Sequence, residues 1–281
     1  MSADSFTAFQ KVHRLRIVTG GRGGVGRQDR AWEYIDSGTG DVLVMLPGFF
    51  GVAGTDFHYI LALENERRVI SLTYPEAAAG IGELVNGLTD FLDELGVAQV
   101  DLLGGSYSGY VAQVFVRRYP ERVRRLILAQ TGAPDRRRLP LAAGLTRLFR
   151  WIPQSVLSGL MRLTVRYYYP GVSPGQTFWR GYFLGLVGSL SKQALFHRFC
   201  VVEDYHRNYR LAAGELDGWA GEVLLLESEA DGMLSQAELE IMRQLYPRAQ
   251  RVVLAGSHIQ SVDQPEGQIE AIRAFLRSGL A

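Results

Sequence analysis

Eight short apolar runs, several of them continuous and not alternating, constrain this chain more than any other feature. They fall at residues 15–18, 32–35, 42–46, 69–72, 100–103, 126–129, 223–226 and 252–254. A strand with one wet face alternates apolar and polar residues, whereas a strand covered on both faces need not. Between the runs lie segments of helical period. Residues 81–95 carry such a pattern and meet a glycine, residues 107–119 run into Pro120, and residues 236–245 and 268–276 repeat the period. Strands that alternate with helices need crossovers, and crossovers produce a mostly parallel sheet with helices on both faces. The predicted fold class is α/β, with a central sheet of about eight strands.

The alternation breaks between about Pro134 and Leu216. That stretch has helical periodicity, many aromatic residues and interrupting prolines. It predicts a helical cap inserted over the C-terminal edge of the sheet, residues 134–216, on a core of residues 1–133 and 217–281. A length of 281 residues suits one large α/β domain with such an insertion. The formal charge of +1 argues against nucleic acid as a partner. Cys200 is the sole cysteine, so no internal disulfide forms, and a reducing, cytoplasmic setting is expected. The first residues show no apolar core of a signal peptide, and no apolar run reaches the ~18 residues of a transmembrane segment. A homodimer is left open.

The stretch "GGRGGVG" holds Gly21, Gly23 and Gly26 at the spacing of a dinucleotide-binding turn. That motif needs a helix N-terminus for the pyrophosphate, and "RQDRAWEYIDSGTG" has no helical period. A long loop between two early strands is the expectation, and no cofactor is assigned there.

"LLGGSYSGY", residues 102–110, places Ser106 between an apolar strand and a helix. Strand, turn and helix are the setting of a nucleophile elbow, Gly-x-Ser-x-Gly. Gly104 supplies the first small residue, while Ser108 stands at the second and Gly109 beside it. In the other register Ser108 would be the nucleophile, flanked by Ser106 and the bulky Tyr110. An inert serine-rich turn is the remaining reading.

A serine needs a base, and the base needs a carboxylate to orient it. His258 lies just beyond the last strand, where a loop can carry it over the sheet edge. His13 falls in an early strand region, His58 in the first helical segment, and His197 and His206 in the cap. Asp231 follows the seventh apolar run, with Glu227 and Glu229 as rivals in the same loop. The amide of Tyr107 and that of Phe49, in "PGFFG", are the candidate oxyanion donors.

Together these pieces resemble the α/β-hydrolase family: Pro47-Gly48-Phe49 after the third strand, Gly104-x-Ser106 at the elbow, and Asp231 and His258 late in the chain. The likeness covers nearly the whole chain. It departs from the family at Pro47, where His is common, and at Ser108, where Gly is. "LPGFFGVAGTDFHYILAL", "RVISLTYP" and "LSQAELEIMRQLYPRAQR" are similar to the maspardin-like branch, whose members are thought to include binding proteins of doubtful catalysis.

The resemblance implies the α/β-hydrolase fold and a serine hydrolase acting on an ester or related acyl compound, carboxylesterase-like, without metal or organic cofactor. Carbon–carbon hydrolysis, a hydroxynitrile-lyase reaction and a non-catalytic interaction protein are the alternatives. The partner is a small acyl substrate with an apolar part. Phe50, Trp151, Tyr168, Trp179, Phe183 and Ile259 are the candidate binding residues, although cap aromatics also serve to pack helices together. The cap is rich in arginine, Arg198 among them, and a solvated basic face is expected there.

Overall fold

The computed structural model describes residues 3–19, 30–259 and 264–278 of the chain. The glycine-rich stretch with Gly21, Gly23 and Gly26 lies outside the described residues. Among the described residues, eight strands form one sheet. They are β1 (Arg16–Val18), β2 (Trp32–Ser37), β3 (Val42–Leu46), β4 (Arg68–Thr73), β5 (Val100–Gly105), β6 (Val123–Ala129), β7 (Glu222–Ala230) and β8 (Gln250–Ser257). Their spatial order is β1-β2-β4-β3-β5-β6-β7-β8. β1 with β2 and β2 with β4 are antiparallel, and every other pair is parallel.

The continuous apolar runs are explained by helices on both faces. Val44, Leu46, Ile70, Leu72, Leu102, Leu126 and Leu128 point to one side, where α3 (Ile81–Glu94), α4 (Tyr107–Arg118) and α9 (Gln236–Leu245) bury their apolar stripes. Leu43, Met45, Val69, Leu103, Ile127 and Leu226 point to the other, toward α2 (Phe57–Leu63) and α10 (Glu266–Arg277). The two-residue period of a strand thus feeds two cores.

Four helices separate β6 from β7: α5 (Leu139–Trp151), α6 (Gln154–Tyr168), α7 (Pro174–Ser189) and α8 (Lys192–Asn208). Their aromatics reach the core. Phe199 meets Phe49 at 5.0 Å, and Trp179 meets Phe57 at 5.6 Å.

The first helix, α1 (Ala3–Val12), is not predicted by the sequence pattern. Tertiary packing fixes it: Phe9 is buried, and Phe6 sits edge-on against Phe57 and Tyr182. His13 therefore ends a helix and does not lie in a strand; it stacks on Phe9, and its Nε2 is 2.6 Å from Glu64. No helix among the described residues is long and apolar enough to cross a membrane.

Candidate active site

Parallel strands deliver their following loops to one sheet edge. Register aligns Leu46 with Gly104, Gly105 with Ala129, and Ala230 with Ser257. The loops after β3, β5, β7 and β8 therefore open at the same edge.

Ser106 follows β5 directly and has φ 50° and ψ −119°, a conformation L-residues rarely adopt. Three hydrogen bonds hold it there. Its amide donates to the Ala129 carbonyl at 2.8 Å, while its own carbonyl accepts from the Gly109 amide at 3.1 Å and from Thr131 Oγ1 at 2.8 Å. Strain surrounded by fixed partners is characteristic of functional turns. Gly104 is required by space, since a Cβ there would lie 2.7 Å from the Ser108 carbonyl oxygen.

His258 sits one residue past β8, with its Nε2 2.8 Å from Ser106 Oγ. Its Nδ1 is 2.8 Å from Asp231 Oδ2. A carboxylate accepts, so Nδ1 carries the proton and Nε2 is left to accept from the serine hydroxyl. Asp231 begins the turn after β7, where its Oδ1 also accepts from the amides of Met233 at 2.8 Å and Leu234 at 3.0 Å. Burial alone would raise this carboxyl; the His258 ring and the two amides outweigh it and hold Asp231 below the usual carboxylate range. The rival Glu227 is buried in β7 and paired with Arg243 at 2.6 Å, and Glu229 points outward from the same strand.

His13, His197 and His206 are engaged elsewhere, while His58 lies beside the Phe57 and Trp179 rings with no hydrogen-bond partner at Nε2 among the described residues. His197 Nδ1 contacts the Glu76 carbonyl at 2.7 Å, and His206 Nδ1 accepts from the Asp135 amide at 3.0 Å. Burial lowers both His58 and His206 to about 4.

The loop after β3 turns tightly, with the Gly51 amide donating to the Gly48 carbonyl at 2.8 Å and Gly51 at φ 59°. Phe49 packs its ring against Tyr107 at 5.7 Å, bringing the loop to the elbow. The loop's exit is tied to β4. The Ala53 amide donates to Thr73 Oγ1 at 3.0 Å, and Ser71 Oγ lies 2.9 Å from the Ala53 carbonyl and 2.7 Å from Asp56 Oδ2. One hydroxyl proton cannot serve two acceptors. Both contacts are satisfied when Asp56 is protonated and donates to Ser71, which donates to Ala53. Burial pushes Asp56 up to about 7, against a smaller pull from the Ser71 hydroxyl.

Arg198 corrects a sequence expectation. It is 2% exposed and does not belong to a solvated basic face. Its guanidinium lies 5.0 Å from the Tyr74 ring and presses on Gly51, where a Cβ would fall 2.5 Å from Nη2. Burial pushes the neighbouring Tyr107 phenol up to about 12, partly offset by this guanidinium. α8 thus packs against the β3 loop. The signal was present in the sequence, because residue 198 lies on the same stripe as Leu195, Val201 and Tyr205, all buried.

The predicted binding residues divide. Phe50 contacts Phe183 at 5.3 Å, and Tyr168 and Ile259 are half-buried against the same apolar cluster. Trp179 is enclosed among Phe57, Phe178, Tyr182 and Phe183, so it packs α7 against α2. Trp151 is 77% exposed at the end of α5 beside Arg150. It does not line an enclosed site, because the buried stripe of α5 runs through Ala142 and Phe149. A surface cavity of about 390 Å³ bordered by Val172, Gln176, Trp179 and Glu266 has none of Ser106, Asp231 and His258 in its wall.

No protein-family model matches the chain. A poly(3-hydroxyalkanoate) depolymerase of Ectopseudomonas oleovorans is 33% identical over 88 residues, 27% of this chain and 30% of that protein. Maspardin of Danio rerio is 34% identical over 90 residues, 31% of this chain and 29% of maspardin. The chain thus spans about a third of the length of these two curated relatives. Among solved structures, a thermophilic esterase from Thermogutta terrifontis superposes with a TM-score of 0.74 at 21% identity, covering 94% of this chain and 98% of the esterase. Sheet topology and whole-chain superposition agree: the chain has the α/β-hydrolase fold, and part of it is similar to maspardin.

Proposed function

We propose that the chain is a serine hydrolase, carboxylesterase-like, that cleaves an ester or related acyl compound through an acyl-enzyme on Ser106. One observation carries this reading: the unbroken hydrogen-bonded line from Ser106 Oγ through His258 to Asp231, 2.8 Å at each step, starting from a serine at φ 50°. His258 Nε2 takes the hydroxyl proton as Ser106 Oγ attacks the carbonyl carbon. Asp231 fixes the tautomer and stabilises the imidazolium. The amides of Tyr107 and Phe49 meet the developing oxyanion. His258 returns the proton to the leaving oxygen, and water then repeats the sequence on the acyl-enzyme.

The four-helix insertion acts as a cap, residues 134–216, on a core of residues 1–133 and 217–281. Phe50, Tyr168, Phe183 and Ile259 form the apolar side of the substrate site in this reading. A cytoplasmic setting is part of it, and a lone cysteine fits that setting. The names of the similar depolymerase and esterase support acyl chemistry on this scaffold. The local likeness to maspardin favours a second reading, an interaction protein without turnover.

Hydrolysis of a graded series of p-nitrophenyl esters separates the two. Turnover that falls by at least about a thousandfold in both Ser106→Ala and His258→Ala is the expected result. Turnover that persists in either variant, or that is absent from folded wild-type protein across esters of every length, counts against the proposal.

A further inference from the structure

The helices between β6 and β7 present apolar stripes that nothing among the described residues covers. α5 and α6 each carry two apolar stripes, and only one of the two is used for packing. Ala142 and Phe149 of α5, and Leu157, Met161 and Val165 of α6, are buried. The second stripes face outward: Leu141, Leu148 and Trp151 on α5, and Val156, Leu160, Leu163 and Tyr167 on α6, all exposed. Their spacings, seven and three on α5 and four, three and four on α6, keep each set on one helix face. Residues 152–153 join the two helices.

Charge identifies what this face fits. No aspartate or glutamate occurs between Asp135 and Glu203. Arg147, Arg150, Arg162 and Arg166 are exposed along the same two helices, and none of them forms a salt bridge among the described residues. A two-fold contact with a second copy would set these cations against themselves with no carboxylate from the segment between them. An anionic phospholipid surface accepts both features at once. Leucine, valine and the Trp151 and Tyr167 rings suit the boundary between headgroups and acyl chains, and arginines suit the phosphates.

We propose that the outer face of α5 and α6 docks on the surface of an anionic phospholipid bilayer, lying in the interfacial plane without spanning it. The inference is independent of whether Ser106 turns over.

Co-sedimentation tests it with the 281-residue chain and two kinds of vesicle, one of phosphatidylcholine alone and one with phosphatidylglycerol as about a third of the lipid. Binding to the anionic vesicles should be at least about tenfold tighter and should weaken steeply with added salt. Two double variants, Arg162→Glu with Arg166→Glu and Trp151→Ser with Leu163→Ser, should each lose at least about tenfold in binding while keeping the wild-type thermal midpoint, since all four positions are exposed. Tryptophan emission should shift to shorter wavelength on the anionic vesicles, and the shift should vanish in Trp151→Phe. Failure of folded wild-type protein to sediment with the anionic vesicles overturns the proposal, as does equal binding to both kinds. A stable dimer that Trp151→Ser dissociates also overturns it, by assigning the face to a second copy.

Discussion

Ser108 stands where an elbow needs a small side chain, and its contacts show how the turn admits it. Its hydroxyl accepts from the Gly105 amide and lies within donating distance of the Gly105 carbonyl, 2.9 Å in each case, folding back on its own turn. The close approach of helix to strand is made one residue later, where a Cβ on Gly109 would fall 2.4 Å from Thr131 Oγ1. Gly109→Ala should therefore cost about 1–3 kcal/mol by overpacking. Ser108→Gly should cost about 1 kcal/mol for its hydrogen bonds. Urea midpoints of the two variants check the order. Asp56 supplies a pH dependence. Its pKa is raised to about 7 in the folded chain, so folded protein keeps a proton that the unfolded chain has released. Its contribution is therefore full below about pH 4 and is lost as pH rises through about 7. Asp56→Asn keeps a donor toward Ser71 without the charge, and its thermal midpoint should gain on wild type more at pH 8 than at pH 5. An equal difference at both values would mean that Asp56 is ionised in the fold.

The loop that carries Asp231 is secured by the element after it. α9 begins with a reciprocal capping box, Ser235 with Glu238, and Glu238 is also paired with Arg138 at 2.5 Å. Arg138 Nη2 donates to the Met233 carbonyl at 2.8 Å, tying the residue before α5 to the turn that carries Asp231. Ser235→Ala should cost about 1 kcal/mol of stability, read from the same denaturant curves. α8 holds the opposite side of the site through Arg198 and Gly51. Arg198→Leu should lower kcat/KM on any ester that wild type cleaves by about tenfold, because the β3 loop loses its support. An unchanged kcat/KM would make Arg198 a packing residue alone. The period of residues 236–245 was legible in the sequence because one amphipathic face carries it. The Arg138–Glu238 pair was not, since its partners are distant in sequence and no periodic pattern joins them. α1 escaped for a similar reason: it is fixed by Phe6 and Phe9 meeting residues far along the chain.

Across the whole molecule, the candidate site and the buried ion pairs of Asp101 occupy opposite ends of β5. Asp101, fully buried near the start of β5, receives Arg67 at 2.9 Å and Arg124 at 2.8 Å. Ser106 lies five residues on, about 16 Å along an extended strand. Asp101→Ala leaves these arginines without their buried counter-charge and should cost about 3–5 kcal/mol. Turnover per folded molecule, measured well below the midpoint, should not change. The fold class was legible because strands covered on both faces leave continuous apolar runs. Ser106, Asp231 and His258 were legible because each follows such a run, so the sheet itself brings them to one edge. The order of β3 and β4 and the outward position of Trp151 were not, because periodicity records which face is apolar and not what lies against it. Covalent labelling tests whether Ser106 is an activated nucleophile. Folded protein is treated with a fluorophosphonate, and the adduct is mapped by peptide mass spectrometry beside Ser106→Ala and His258→Ala. A label on Ser106 that is lost in both variants is the expected result. A label on Ser108, or none on folded wild-type protein, would contradict it.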